Sequence, residues 1–261
     1  MRKHLAPILG IAIALTMSGC GGGSDSTPAP APAPAPTPAP APASSSAEGL
    51  WSGSTNTNRT VVGVVLDDGT YYFLYSVPAN SNLIAGVVQG NGISNNGSFT
   101  SANARDFNLE GSGVLSATIS GSYAERQSLS GSIIYSGVVG ATFTSTFVPA
   151  YDATPSLASL AGTYTGQSGS SGGVESTTVT VASNGVFTGV GASGCSFTGT
   201  FTPRVHGNIF DGSLTYGGAP CLLPGSTVVG IAYLDVSNNR LYAAAPTSNR
   251  ADGVIFLGTK P

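Results

Sequence analysis

The sequence predicts an all-β protein made of two tandem small antiparallel up-and-down β-barrels of about eight strands each. Three observations carry that expectation. Short runs rich in β-branched and aromatic residues recur about every ten residues, separated by Asn-Gly, Asp-Gly, Ser-Gly and Gly-Gly pairs. No window sustains a helical period beyond two turns, and Ser156–Leu160 is the single short candidate. A large apolar residue followed two positions later by Gly recurs along the chain, as in Trp51-Ser52-Gly53, Tyr164-Thr165-Gly166, Phe187-Thr188-Gly189 and Leu109-Glu110-Gly111. Residues two apart share a strand face, so each Gly is expected inside beside its apolar partner, where it lets a strand coil around a narrow interior. One large sheet or sandwich of fourteen or more strands is the competing architecture.

The chain opens with Arg2 and Lys3, an uncharged segment from Leu5 to Met17, and then Ser18-Gly19-Cys20. This charged, apolar, small order is that of a secretory signal, so residues 1–19 are expected to be removed. The apolar run is about a dozen residues, short of the ~20 that a membrane-crossing helix needs. Leu15-Thr16-Met17-Ser18-Gly19-Cys20 resembles the lipobox of bacterial lipoproteins, with Met17 where Leu is usual. The resemblance implies that Cys20 is thioether-linked to diacylglycerol, becomes the new N-terminus and is acylated. Gly21, in place of an Asp beside the cysteine, implies export to the outer membrane. Read as an ordinary signal peptide instead, the same segment would leave Cys20 a stray thiol.

Residues 20–46 read as a tether. Gly21-Gly22-Gly23-Ser24-Asp25-Ser26 carries no apolar anchor, and from Thr27 to Ala43 proline occupies every second position from Pro28 to Pro42. Proline lacks a donor and fixes φ, so this stretch is expected to extend as polyproline II. At ~3.1 Å per residue it would span roughly 50 Å, a stand-off spacer between lipid headgroups and a folded domain.

The first barrel is expected over residues 47–152 and the second over 153–261, divided near Tyr151-Asp152-Ala153-Thr154-Pro155. Gly49-Leu50-Trp51-Ser52-Gly53 matches Gly162-Thr163-Tyr164-Thr165-Gly166, and each aromatic is expected inside its own barrel. Val61–Val64 also matches Val228–Ile231, and Gly86–Val88 matches Gly253–Ile255, an out-of-order likeness that suggests a permuted duplication. On this reading a fragment from about Ser156 to Pro261 folds alone. The clearest hairpin in the chain lies on either side of Asp67-Asp68-Gly69, where Thr70-Tyr71-Tyr72-Phe73-Leu74-Tyr75 places aromatics on both strand faces. Tyr71, Tyr72, Phe73 and Tyr75 are therefore the residues that could line a ligand site, or equally fill a core and an aromatic outer rim.

Chemistry-bearing residues are few. Cys195 and Cys221 form an even pair once Cys20 is set aside, and an exported chain favours a disulfide between them. Beyond residue 19 the only histidine is His206, expected in a solvent-facing turn. No Gly-x-Ser-x-Gly elbow sits between a strand and a helix, and Gly-rich stretches such as Gly169–Gly173 lack the following Lys-Ser or helix of a phosphate loop, so no catalytic residue, metal ligand or cofactor is expected. Seven basic residues follow the leader against twelve acidic ones, scattered without a basic stripe, which argues against nucleic acid as a partner.

From Gly49 onward the chain resembles uncharacterised β-rich lipoproteins of Gram-negative proteobacteria, on the residues Gly49–Gly53, Leu66–Tyr72 and Phe99–Phe107. Segments such as Ser116–Tyr123 and Ser128–Tyr135 are more distantly similar to the barrels of transferrin-binding-protein-like surface lipoproteins. The expected function is a non-catalytic binding or interaction module on the outer membrane, held by acylated Cys20, with an unknown protein or small molecule as its ligand. A structural envelope protein and a carboxylate-dependent hydrolase are the alternatives.

Overall fold

In the computed structural model, which describes residues 45–261, seventeen strands form two closed antiparallel barrels. Cys20, the leader and all of the tether before Ser45 lie outside the described residues. The first barrel comprises β1 (Gly49–Thr55), β2 (Thr60–Val65), β3 (Thr70–Val77), β4 (Asn80–Asn91), β5 (Ile93–Asn95), β6 (Ser98–Asn108), β7 (Gly113–Ala124), β8 (Ser128–Tyr135) and β9 (Val138–Phe147). Sequential hairpins run around the ring, β1 closes it against β9, and β4 pairs with β6 past the three-residue β5. A 3-10 turn at Pro149–Asp152 and a single helical turn, α1 (Leu157–Leu160), capped by the Ser156 hydroxyl, make the connection. The second barrel follows as β10 (Gly162–Ser170), β11 (Gly173–Val181), β12 (Val186–Gly191), β13 (Ser196–Pro203), β14 (Phe210–Tyr216), β15 (Thr227–Asp235), β16 (Arg240–Pro246) and β17 (Gly253–Thr259). It closes through β10 and β17.

Both barrels are started by the same device. Trp51 and Tyr164 are each fully buried, at 0 % exposure, inside their own ring. Trp51 Nε1–H donates to the Ala47 carbonyl (3.0 Å), and Tyr164 O–H donates to the Leu160 carbonyl (2.8 Å), in each case four residues back. The segment before the first strand thereby stoppers one end of the barrel. Two residues before each aromatic, Gly49 and Gly162 adopt φ of +154° and +143°, which side-chain-bearing residues rarely enter.

The inward glycines act in two ways. Gly63 lies opposite Phe73 and Gly189 opposite Phe197, and a Cβ at either would overlap the facing ring. Gly53 and Gly166 instead let adjacent strand backbones approach, since a Cβ would strike the carbonyls of Thr144 and Leu257. The Leu109-Glu110-Gly111 occurrence of the pattern is not on a strand. Gly111 sits in an open turn after β6 with φ +96°, and Leu109 packs against the contact between barrels.

That contact has a hydrophobic core of its own. The outer faces of β1 to β4 and β6 contribute Leu50, Val64, Tyr72, Leu74, Val87 and Phe107, and those of β15 to β17 contribute Ile231, Tyr233, Ile255 and Leu257. Strands buried on both faces read as unbroken apolar runs, which is why β2 resembles β15 and β4 resembles β17. Shared two-sided burial is a sufficient physical cause of the out-of-order likeness. Each arginine of the second barrel also reaches the first: Arg204 to Asp67 (2.8 Å), Arg240 to the Ser81 carbonyl (3.2 Å), and Arg250 to the Gln89 carbonyl (2.7 Å). The barrels are thus two rings with three cores, and residues 45–261 belong to one compact unit.

Candidate functional site

The two lumens differ. Phe187, Phe197, Phe201, Phe210 and Phe256 fill the second barrel, with Phe187 stacked on Phe201 at 4.4 Å, and leave about 50 Å³. In the first barrel Tyr71, Phe73 and Phe99 seal the middle and the end nearest Ala47, with ring centroids 5.5–5.7 Å apart. The other end is open. Between the β1–β2, β3–β4, β6–β7 and β8–β9 turns lies a cavity of about 190 Å³, opening away from the end where the described chain begins.

Its walls are apolar: Val61, Phe73, Val88, Ile119, Ile133 and Phe143. Small residues at Gly140 and Ala141 leave the space, and the Tyr135 ring lies against Gly140 where a Cβ would not fit. The polar part of the lining centres on Asp106, 3 % exposed and the one buried acidic side chain among the described residues. Tyr75 O–H donates to its Oδ1 (2.7 Å) and Tyr135 O–H to its Oδ2 (2.6 Å), while Asn108 Nδ2–H donates to the Tyr75 oxygen (3.2 Å). Arg59 sits at the rim over the Tyr75 ring (5.4 Å), donating to the Ser76 carbonyl (3.0 Å) and pairing with Glu110 (2.8 Å).

Burial pushes the Asp106 carboxyl above the ordinary aspartate range, opposed by the two phenol hydrogen bonds and the nearby Arg59. Burial and the adjacent Asp106 charge hold the Tyr75 and Tyr135 phenols well above their usual range, so both are protonated donors. A buried carboxylate bonded to no cation carries a desolvation penalty that barrel closure does not need. That makes this mouth the candidate site.

A β-bulge places Asp106 there. Ser101 pairs with Ile119 and Ala104 with Ala117, so β6 carries one residue more than β7 between those pairs. Phe99 faces the lumen, but past the bulge the inward set becomes Ala104, Asp106 and Asn108, and Phe107 turns out to the contact between barrels. Without the extra residue, Arg105 and Phe107 would face in and Asp106 out.

Of the four aromatics singled out from the sequence, Phe73 and Tyr75 line the cavity. Tyr71 lies deeper, donating to the Ser101 hydroxyl (2.9 Å) with its phenol pushed up to about 12 by burial, and Tyr72 faces the other barrel. Cys195 and Cys221 are bonded, tying the β12–β13 turn to the β14–β15 loop. Near that bridge lies a depression of about 280 Å³ over the filled lumen, where Glu175 accepts the Ser193 backbone N–H (2.7 Å). His206 is exposed in the β13–β14 connection, on an open groove of about 630 Å³ whose charges are largely paired, Arg126 with Asp152 and Arg204 with Asp67 and Asp211. Asp68 is a turn former, accepting the Thr70 N–H (2.8 Å). Among the described residues no group of His, Cys, Asp or Glu converges as metal ligands, and no helix is long and apolar enough to cross a membrane.

No family model, curated protein or solved structure matches the chain.

Proposed function

We propose that this protein is an outer-membrane-anchored lipoprotein whose first barrel is a non-catalytic binding module for a small ligand, with the second barrel as its scaffold. The observation that carries the binding role is the contrast between two rings of similar construction, one filled with phenylalanine and the other open over a buried carboxylate. Ordinary ligand sites occupy about 300–1,000 Å³, so a cavity of about 190 Å³ suits a ligand on the scale of one ring. The cavity opens opposite the end at which the chain arrives from the tether, which suits a module presented away from its anchor. Anchoring rests on the charged, apolar and small order leading to Cys20, and the disulfide suits the same exported setting.

Titration of the ¹⁵N-labelled protein with single-ring fragments of varied polarity tests the binding role. Shifts should cluster on Val61, Phe73, Val88 and Phe143 and vanish in Ala141→Phe, which places a ring in the mouth. Scattered shifts, or none, would leave the structural envelope role in its place. For the anchor, Cys20→Ala should abolish palmitate labelling; a variant that still incorporates label refutes the lipoprotein assignment.

A further inference from the structure

The hydrogen-bond inventory of the mouth restricts what it can hold. Each phenol has one proton, and both are committed to Asp106, Tyr75 to Oδ1 and Tyr135 to Oδ2. Asn108 Nδ2 is engaged with the Tyr75 oxygen, and Asn108 Oδ1 accepts the backbone N–H groups of Glu110 and Ser112. An ionised carboxylate has about four acceptor positions, of which two are filled, and the Tyr135 oxygen keeps its lone pairs. The polar floor therefore offers mainly acceptors, with the second Asn108 Nδ2–H the one amide proton there not committed to a partner.

Charge points the same way. Both Asp106 oxygens accept a phenol proton, the pattern of a carboxylate, and Arg59 and Glu110 stand as a pair at the rim above it. The Arg59 guanidinium is spent on Glu110 and the Ser76 carbonyl and makes no hydrogen bond to Asp106, so one negative charge is left over. Around it stand the rings of Phe73, Tyr75, Tyr135 and Phe143, whose faces attract cations.

Resting on the binding role above, we infer that the first barrel's mouth takes a small organic ammonium, a primary amine on an apolar body of about one ring. The ammonium donates to the unused positions of Asp106 and to the Tyr135 oxygen, and the hydrocarbon part fills the space beside Ala141. A dry apolar cavity of about 150 Å³ accepts benzene, so about 190 Å³ accommodates a ring with a one-carbon amine arm.

The experiment compares benzylamine, benzyl alcohol and benzoate, matched in size, against the full chain in detergent by calorimetry and amide-shift mapping. Benzylamine should bind at least about tenfold tighter than benzyl alcohol, the scale of a charge-assisted hydrogen bond, and benzoate should not bind. Asp106→Asn should erase that difference while leaving benzyl alcohol binding in place. Where that variant does not fold, wild-type shifts at Tyr135 and Asn108 on benzylamine addition locate the ammonium instead. Benzyl alcohol binding as tightly as benzylamine, or benzoate binding more tightly, overturns the ammonium assignment and leaves the binding role standing. Silence from these three and from the whole fragment series removes both.

Discussion

Cutting the chain between the barrels should show how far the second ring depends on the first. Expressed alone in an oxidising compartment, residues 153–261 retain all eight strands, the closing pair β10–β17 and the disulfide. What they lose is the cover over Ile209, Ile231, Tyr233, Ile255 and Leu257, all buried in the intact protein. Full burial of one such side chain contributes roughly 1.5–3 kcal/mol, so five contribute roughly 8–15 kcal/mol. Neighbours within the ring still cover part of that surface, which makes the figure an upper bound. Even half of it is comparable to the ~5–15 kcal/mol net stability of a whole domain. The isolated ring should therefore have a much lower denaturation midpoint than the full chain, and should self-associate through its exposed stripe in size-exclusion chromatography. Adding separately produced residues 45–152 should restore a monodisperse pair. A fragment that stays monomeric and unfolds cooperatively at the midpoint of the intact protein would refute the claim that the third core holds the rings together.

Three further outcomes follow from individual residues. Cys221→Ser opens a loop of 26 residues and should lower stability by roughly 3 kcal/mol in the chain-entropy treatment, read as a shift of the urea midpoint; an unchanged midpoint removes the bridge's structural role. Gly63→Ala pushes a methyl into the Phe73 ring and should destabilise by about 1–3 kcal/mol, whereas the same change at Gly111, with open space around it, acts only through its φ of +96°. Asp106 has a folded-state pKa above its unfolded one, so its native carboxyl holds its proton more tightly and the wild type loses stability as pH rises through that window. With Tyr75, Tyr135, Arg59 and Glu110 unchanged, Asp106→Asn should gain stability relative to wild type as pH rises above the ordinary aspartate range; a difference independent of pH would contradict the burial argument.

Much of the architecture was legible because it is repeated. The spacing of turn signals announced strands, and the inward apolar-x-Gly pairs announced narrow coiled rings. Trp51 and Tyr164 occupy equivalent interior positions in their two barrels. Cys195 and Cys221 could be paired by counting. The third core was harder to read, since Val61–Val65 and Tyr71–Tyr75 carry apolar residues on both faces, and a sequence does not say what covers the outer one. Tyr72 was accordingly weighed with Tyr71, Phe73 and Tyr75, although it alone of the four points at the second barrel.

The mouth was hidden by a single residue of register. Phe99 and Phe107 stand eight apart, so strict alternation assigns them to one face and leaves Asp106 outside with the solvent. The bulge between Ser101 and Ala104 reverses that assignment for the rest of β6. One backbone irregularity thus does two things at once: it delivers Phe107 to the core between the rings and Asp106 to the lumen. The two placements support each other. Sliding β6 back into regular register would expose Phe107's counterpart surface on the second barrel, and would also set Arg105 among Phe73, Ile119 and Phe143. The contact between barrels therefore helps hold a buried carboxylate in place against its own desolvation penalty, since the register that would release the carboxylate to solvent also uncovers apolar surface. On this argument the second barrel contributes to the site without lining it: its outer face is the surface against which the first barrel's irregular strand is held in register.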